Sequence, residues 1–132
     1  MEDITVIQAK RFGIYSCPTD TTLLQAAQTM VDEDISGLVV VNQNGHLEGI
    51  ITRTDLLHAC HRYPHWSDQL VAQFMNMDVV TVSPQDHLDF VASLMIEQHI
   101  HRVVVVENDK GSKRPVGVIS DGDILFHLVR KN

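Results

Sequence analysis

Two stretches of this chain can be set one beneath the other. Residues 18–57 read PTDTTLLQAAQTMVDEDISGLVVVNQNGHLEGIITRTDLL, and residues 84–125 read PQDHLDFVASLMIEQHIHRVVVVENDKGSKRPVGVISDGDIL. Both run in the same order: proline, an acidic residue two positions later, an amphipathic run ending in methionine, an acidic-polar patch, isoleucine, a run of valines, a polar loop. Both close on glycine, two apolar residues, a hydroxyl, two further residues, aspartate. Pro18 and Pro84 are 66 residues apart, Ile35 and Ile100 are 65 apart, and Asp55 and Asp123 are 68 apart. The drift falls mostly in the polar loop, where a repeated fold tolerates length changes. One fold is therefore used twice. At about 60 residues a copy buries little core by itself, so the expectation is two copies packed face to face on a shared core.

Within each copy the pattern changes period. Residues 12–16 (FGIYS) and 79–82 (VVTV) read as short strands ended by Pro18 and Pro84. Asp20 and Asp86 stand where a carboxylate can cap the first amides of a helix. Leu23, Ala27, Met30 and Val31, and likewise Leu88, Val91, Leu94 and Met95, then fall at helical spacing as core positions. The β-branched runs at 38–41 and 102–106 lack polar alternation and read as strands covered on both faces. Residues 48–52 and 116–120 pair back through a hairpin, and helices follow at 54–62 and 122–130. Each copy is β-α-β-β-α, giving an α/β (α+β) chain. Its first repeat spans 1–62, its second 77–132, and the connector 63–76 contains a short helix. In the stretch 61–77 Pro64 breaks the chain, and Ser67 or Asp68 can cap a short helix carrying Leu70, Val71, Phe74 and Met75.

Composition excludes several classes. Hydrophobic residues make up 44% but aromatics only 5%, so the core is aliphatic. A net charge of -7 argues against nucleic acid as a partner, which demands a cationic surface. The one basic cluster, KGSKR at 110–114, reads as a solvated hairpin loop. Two cysteines make no disulfide scaffold, and a reducing cytoplasm is expected. The acidic opening MEDITVIQ is no signal peptide, and no stretch approaches the roughly 18 apolar residues of a membrane span.

The chemistry lies in the closing motif. Thr52 and Ser120 come where a strand ends and a helix begins, a place of unpaired amides and positive helix dipole that holds anions. A hydroxyl there adds a donor for phosphate. Asp55 and Asp123, three residues on, would repel phosphate but can accept from the two vicinal hydroxyls of a ribose. The same spacing is also an ordinary capping box, and a repeated fold would repeat its caps. Both readings stand. His101 and Arg102 open the second valine strand with further donors suited to phosphate, whereas the first copy has Ser36 and Gly37 there. His58, Cys60, His61 and His65 are metal-capable side chains without a structural zinc spacing, and no metal is expected. No nucleophile is matched with a base, so no independent catalysis is expected either.

Taken together, the two proline-to-aspartate repeats, GIITRTDLL, GVISDGDIL and IHRVVVV resemble a cystathionine-β-synthase (CBS) domain pair, or Bateman module, from about residue 12 onward. The second copy also resembles repeats of the γ subunit of AMP-activated protein kinase. The resemblance implies two repeats about a pseudo-twofold axis. Clefts between them would bind AMP, ADP, ATP or S-adenosylmethionine as a regulator. It assigns phosphate and ribose contacts to Thr52 with Asp55 and Ser120 with Asp123, and phosphate contacts to His101 and Arg102. It assigns the adenine walls to Ile50, Val118 and Met77. It further implies a homodimer that regulates a partner enzyme, channel or transporter. The alternative is a ligand-free dimerisation module. The first copy opens ITVIQAKRFGIYSC where the second has the family-like VAQFMNMDVVTVSP.

Overall fold

The computed structural model describes residues 4–9 and 13–131. The sequence repeat appears as one order of elements traversed twice. The first pass is β1 (Ser16–Pro18), α2 (Leu23–Glu33), β2 (Gly37–Val41), β3 (Leu47–Thr52) and α3 (Arg53–Arg62), preceded by a short helical turn α1 (Val6–Ala9). The second is β4 (Thr81–Val82), α4 (Leu88–Gln98), β5 (Arg102–Asp109), β6 (Ser112–Ser120) and α5 (Asp121–Lys131). Each forms a three-stranded sheet with the valine strand in the centre. β1 lies parallel to β2, and β4 to β5. β3 and β6 return antiparallel, with a register shift at Val40/Val41 in one sheet and Val105/Val106 in the other.

Several expectations are corrected by partners outside the local pattern. The first strand is Ser16–Pro18, and among the described residues before it only the carbonyl of Tyr15 joins the ladder. Phe12, which opened the expected strand, lies outside the described residues. The ladder to Val39–Val41 sets the position, and Pro18 is tolerated because β1 is an edge strand that needs no amide there. Helix α2 is capped by Thr22, not Asp20. Thr22 Oγ1 accepts from Gln25 N at 3.1 Å while Gln25 Oε1 accepts from Thr22 N at 2.9 Å. Asp86 does not cap α4 either. Its Oδ2 accepts from Ser83 N at 2.8 Å in the preceding turn, and the cap position falls to His87, which makes no side-chain capping bond. Val31 is 75% exposed, on the solvent side of α2. The basic stretch at 110–114 is mostly strand: the turn is Lys110 and Gly111, both at positive φ, and Ser112–Arg114 pair with Glu107–Asp109.

The connector forms two 3₁₀ turns, Trp66–Asp68 and Val71–Gln73, rather than a capped short helix. Its backbone is committed elsewhere. Leu23 N donates to Gln69 O and Val71 N to Thr21 O, each at 2.8 Å, and Asn76 exchanges both bonds with Ile50. Gly49 makes that approach possible, since a Cβ there would stand 2.7 Å from Met75 Sδ and 2.9 Å from Asn76 O.

The same device recurs 65 residues earlier. Leu88 N donates to Ile4 O and Val6 N to Asp86 O, again at 2.8 Å. Gln8 Oε1 accepts from Thr5 N as Gln73 Oε1 accepts from Leu70 N. Segment 4–9 thus packs with the second repeat, and segment 69–76 with the first. The chain accordingly divides into two compact units, one of residues 15–79 and the other of the leader to Ile14 with Val80 onward. Instead of one shared core there are two. One gathers Leu23, Ala26, Met30, Leu38, Val40, Ile51 and Val71. The other gathers Val6, Val82, Leu88, Val91, Met95, Val103, Val105 and Ile119. Each repeat closes its own core because a leader segment supplies the missing wall. Among the described residues no helix is long and apolar enough to cross a membrane.

Candidate functional site

In each unit the outer hairpin strand runs directly into a helix, so its last residue becomes the helix cap. Thr52 is extended (φ -118, ψ 166) and caps α3. Its Oγ1 accepts from Asp55 N at 3.3 Å, and Asp55 Oδ2 accepts from Thr52 N at 2.8 Å and from Thr52 Oγ1 at 2.9 Å. The second corner repeats the box: Ser120 Oγ accepts from Asp123 N at 3.1 Å, and Asp123 Oδ2 accepts from Ser120 N at 2.9 Å. Both aspartates therefore tie down the amide of their own cap residue, which is the capping reading of the motif. Capping does not exhaust a carboxylate, which offers about four acceptor positions. The bonds to Asp55 converge on Oδ2 and leave Oδ1 as a further acceptor.

The corners differ in access. Asp55 is half-buried, whereas Asp123 is 8% exposed. The Thr52 hydroxyl has committed its proton to Asp55 and must rotate to donate to a ligand. Each corner is closed on its other side by the start of the valine strand. Arg53 N donates to Ser36 O at 3.0 Å, and Asp121 N to His101 O at 2.9 Å. These bonds put Ser36 and His101 at one register, and Arg53 and Asp121 at another. Arg102 pairs with Ser120 across the ladder as Gly37 does with Thr52. His101, Arg102, Ser120 and Asp123 thus meet at one corner. His101 Nδ1 lies 3.0 Å from Asp121 Oδ2. A carboxylate only accepts, so the proton sits on Nδ1.

Of the residues assigned to adenine, Ile50 faces Val39 across the ladder and bonds Asn76, while Val118 faces Val104. Met77 follows Asn76 and is 73% exposed. His58, Cys60, His61 and His65 are not gathered: among the described residues no three His, Cys, Asp or Glu side chains could hold a metal ion. Arg53 and Asp121 join these corners without having been expected there, although both follow the hydroxyl inside the repeated motif and carry opposite charge.

The CBS domain model matches residues 7–62 and 71–130. Among relatives, an inosine-5′-monophosphate dehydrogenase from Nitrosopumilus maritimus is 34% identical over 90% of this chain and 24% of its own length. The γ-3 subunit of 5′-AMP-activated protein kinase from Sus scrofa is 30% identical over 81% of this chain and 22% of its own. The chain thus spans about a quarter of the length of these curated relatives. In backbone, it is similar to a CBS domain pair crystallised with 5′-methylthioadenosine and S-adenosyl-L-methionine. The TM-score is 0.86 at 24% identity, covering 99% of this chain and 100% of that one. Two matched segments, one in each repeat, decide the assignment: the chain belongs to the CBS domain family.

Proposed function

We propose that this chain, with repeats at 1–62 and 77–132 and a connector at 63–76, is a regulatory module that senses an adenosyl ligand. The ligand is AMP, ADP, ATP or S-adenosylmethionine. Phosphate or its equivalent meets Thr52 at one corner and Ser120, His101 and Arg102 at the other. The ribose diol meets Asp55 and Asp123, and adenine lies against Ile50, Val118 and Met77. The observation that carries this reading is the duplicated strand-to-helix corner, which sets an alcohol and a carboxylate three residues apart at a positive helix end. A kinase γ subunit among the relatives and an adenosyl-bound structural neighbour support it. Occupancy acts by differential affinity for two conformations, and a homodimer passes it to a partner enzyme or transporter.

A second reading has its own observation. Both aspartates already hold the amides of their caps, which is all that a ligand-free dimerisation scaffold requires.

Thermal unfolding with AMP, ADP, ATP and S-adenosylmethionine separates the two. A ligand at about 100 times its Kd stabilises by about 2.7 kcal/mol, a clear rise in Tm. Because Asp55 and Asp123 also cap, Asp55→Asn and Asp123→Asn are judged by Kd from calorimetry, not by Tm. Loss of binding in these variants supports sensing. No shift in Tm with any of the four ligands supports the scaffold.

A further inference from the structure

The two corners share one pattern of backbone and capping bonds and differ in charge. Arg53 and Asp121 hold the same place: each is the first residue of its helix, and each amide donates to the residue opening the valine strand. Arg53 is exposed and, among the described residues, has no ion-pair partner. Asp121 is also exposed, and it takes His101 Nδ1 on Oδ2 while Oδ1 accepts from Gly122 N at 2.8 Å. The first turn of α3 thus holds one carboxylate beside an arginine. The first turn of α5 holds two carboxylates, Asp121 and Asp123, and these already offset the positive end of the helix. On the strand side the first corner contributes no charge. The second contributes Arg102 and a histidine whose nearer nitrogen is engaged by Asp121.

From this inversion, and resting on the adenosyl reading above, we infer that Arg53 and Asp121 determine specificity. The corner at Thr52 takes the phosphate-rich ligand, and the corner at Ser120 takes an adenosyl ligand of low negative charge. Ser120 has the readier hydroxyl proton, but a hydroxyl turns freely to meet its acceptor. A carboxylate fixed in the first helical turn stays and repels. Asp121 also holds His101 in place, so a phosphate arriving there must displace a resident anion.

The test uses the full chain, ¹⁵N-labelled, titrated with sodium tripolyphosphate at low salt. The amides of Thr52–Asp55 are expected to shift and saturate at about fivefold lower concentration than those of Ser120–Asp123. Asp121→Asn should remove that difference, and Arg53→Gln should raise the concentration needed at the first corner by a similar factor. Both effects should shrink as the salt is raised and the exposed charges are screened. With adenosyl ligands, Asp121→Asn should raise the ratio of ATP to adenosine affinity at the second corner. Equal perturbation of the two corners by tripolyphosphate, no perturbation of either, or no response to Asp121→Asn overturns the assignment. If no adenosyl ligand binds while tripolyphosphate still discriminates, the sensing function fails and the charge assignment stands.

Discussion

The two repeats agree where they touch apolar neighbours and diverge where they touch water. Leu23 and Leu88, Leu38 and Val103, Val40 and Val105, Ile51 and Ile119 hold equivalent places in two separate cores. Packing at native density leaves such positions little freedom. By contrast, Thr22 caps α2 with a reciprocal glutamine, while His87 leaves α4 without a side-chain cap. The hairpin of the first repeat closes through residues 42–46, whereas that of the second extends by three further residue pairs before turning at Lys110–Gly111. Arg53 faces Asp121 in the alignment. The lesson is that duplication preserved the frame while leaving each corner open to its own charge, so any functional asymmetry belongs to the corners.

The comparison can be strained first in the cores. Leu23→Ala and Leu88→Ala both truncate fully buried side chains and should each cost about 2–5 kcal/mol in urea unfolding. A cost near zero for either would show that the two cores are not equivalent. The exchanged leaders come next. Val6→Ala and Val71→Ala each remove two buried methylene equivalents and should cost about 2 kcal/mol. Amide exchange should then quicken around Leu88 and Val103 in the first variant and around Leu23 and Leu38 in the second. The reverse pattern would break the assignment of leaders to cores. Caps give a smaller effect. Thr22→Ala should lose about 1 kcal/mol, whereas His87→Ser, which supplies a hydroxyl where α4 has none, should gain about half that.

The smallest effect is in alkali. Cys17 holds the ladder place of Val82, and burial pushes its thiol above the ordinary range, against a bond with Thr21 that acts the other way. The folded state disfavours the thiolate, so this contribution is complete below the ordinary thiol range. It is lost as pH rises through the folded value. Urea unfolding between about pH 8 and pH 11 should show a fall in stability that Cys17→Ser reduces. An unchanged slope would mean that the thiol does not govern it.

Much of this was legible because it rests on local pattern. The element order, the central valine strands and the box linking Thr52 to Asp55 and Ser120 to Asp123 follow from spacing and residue type. What escaped depends on distant partners. The residues before Pro18 look like a strand until Val39–Val41 fixes the ladder further on. Asp20 and Asp86 look like caps, yet the helices begin later and Asp86 serves a turn. Residues 66–75 look helical, yet Val71 N goes to Thr21 O and Gln69 O takes Leu23 N, which interrupts the local turns. The leader exchange had a faint signal, Val-x-Gln at 6–8 and again at 71–73, shorter than any window in which periodicity can be counted. At the corners the repeated motif already aligns Arg53 with Asp121, and the backbone bonds to Ser36 and His101 give the two residues the same place in the fold.

Because α1 docks beside Asp86 and not beside its own repeat, what is inherited and what folds have different borders. A stretch of gene encoding 15–79 specifies an uninterrupted unit, whereas its sibling must be assembled from the two flanks of that stretch. The second unit can be complete only when both flanks have emerged from the ribosome, so synthesis order favours the middle of the chain. Anyone shuffling such modules between proteins would have to carry the short prelude along with the distant partner that it walls in.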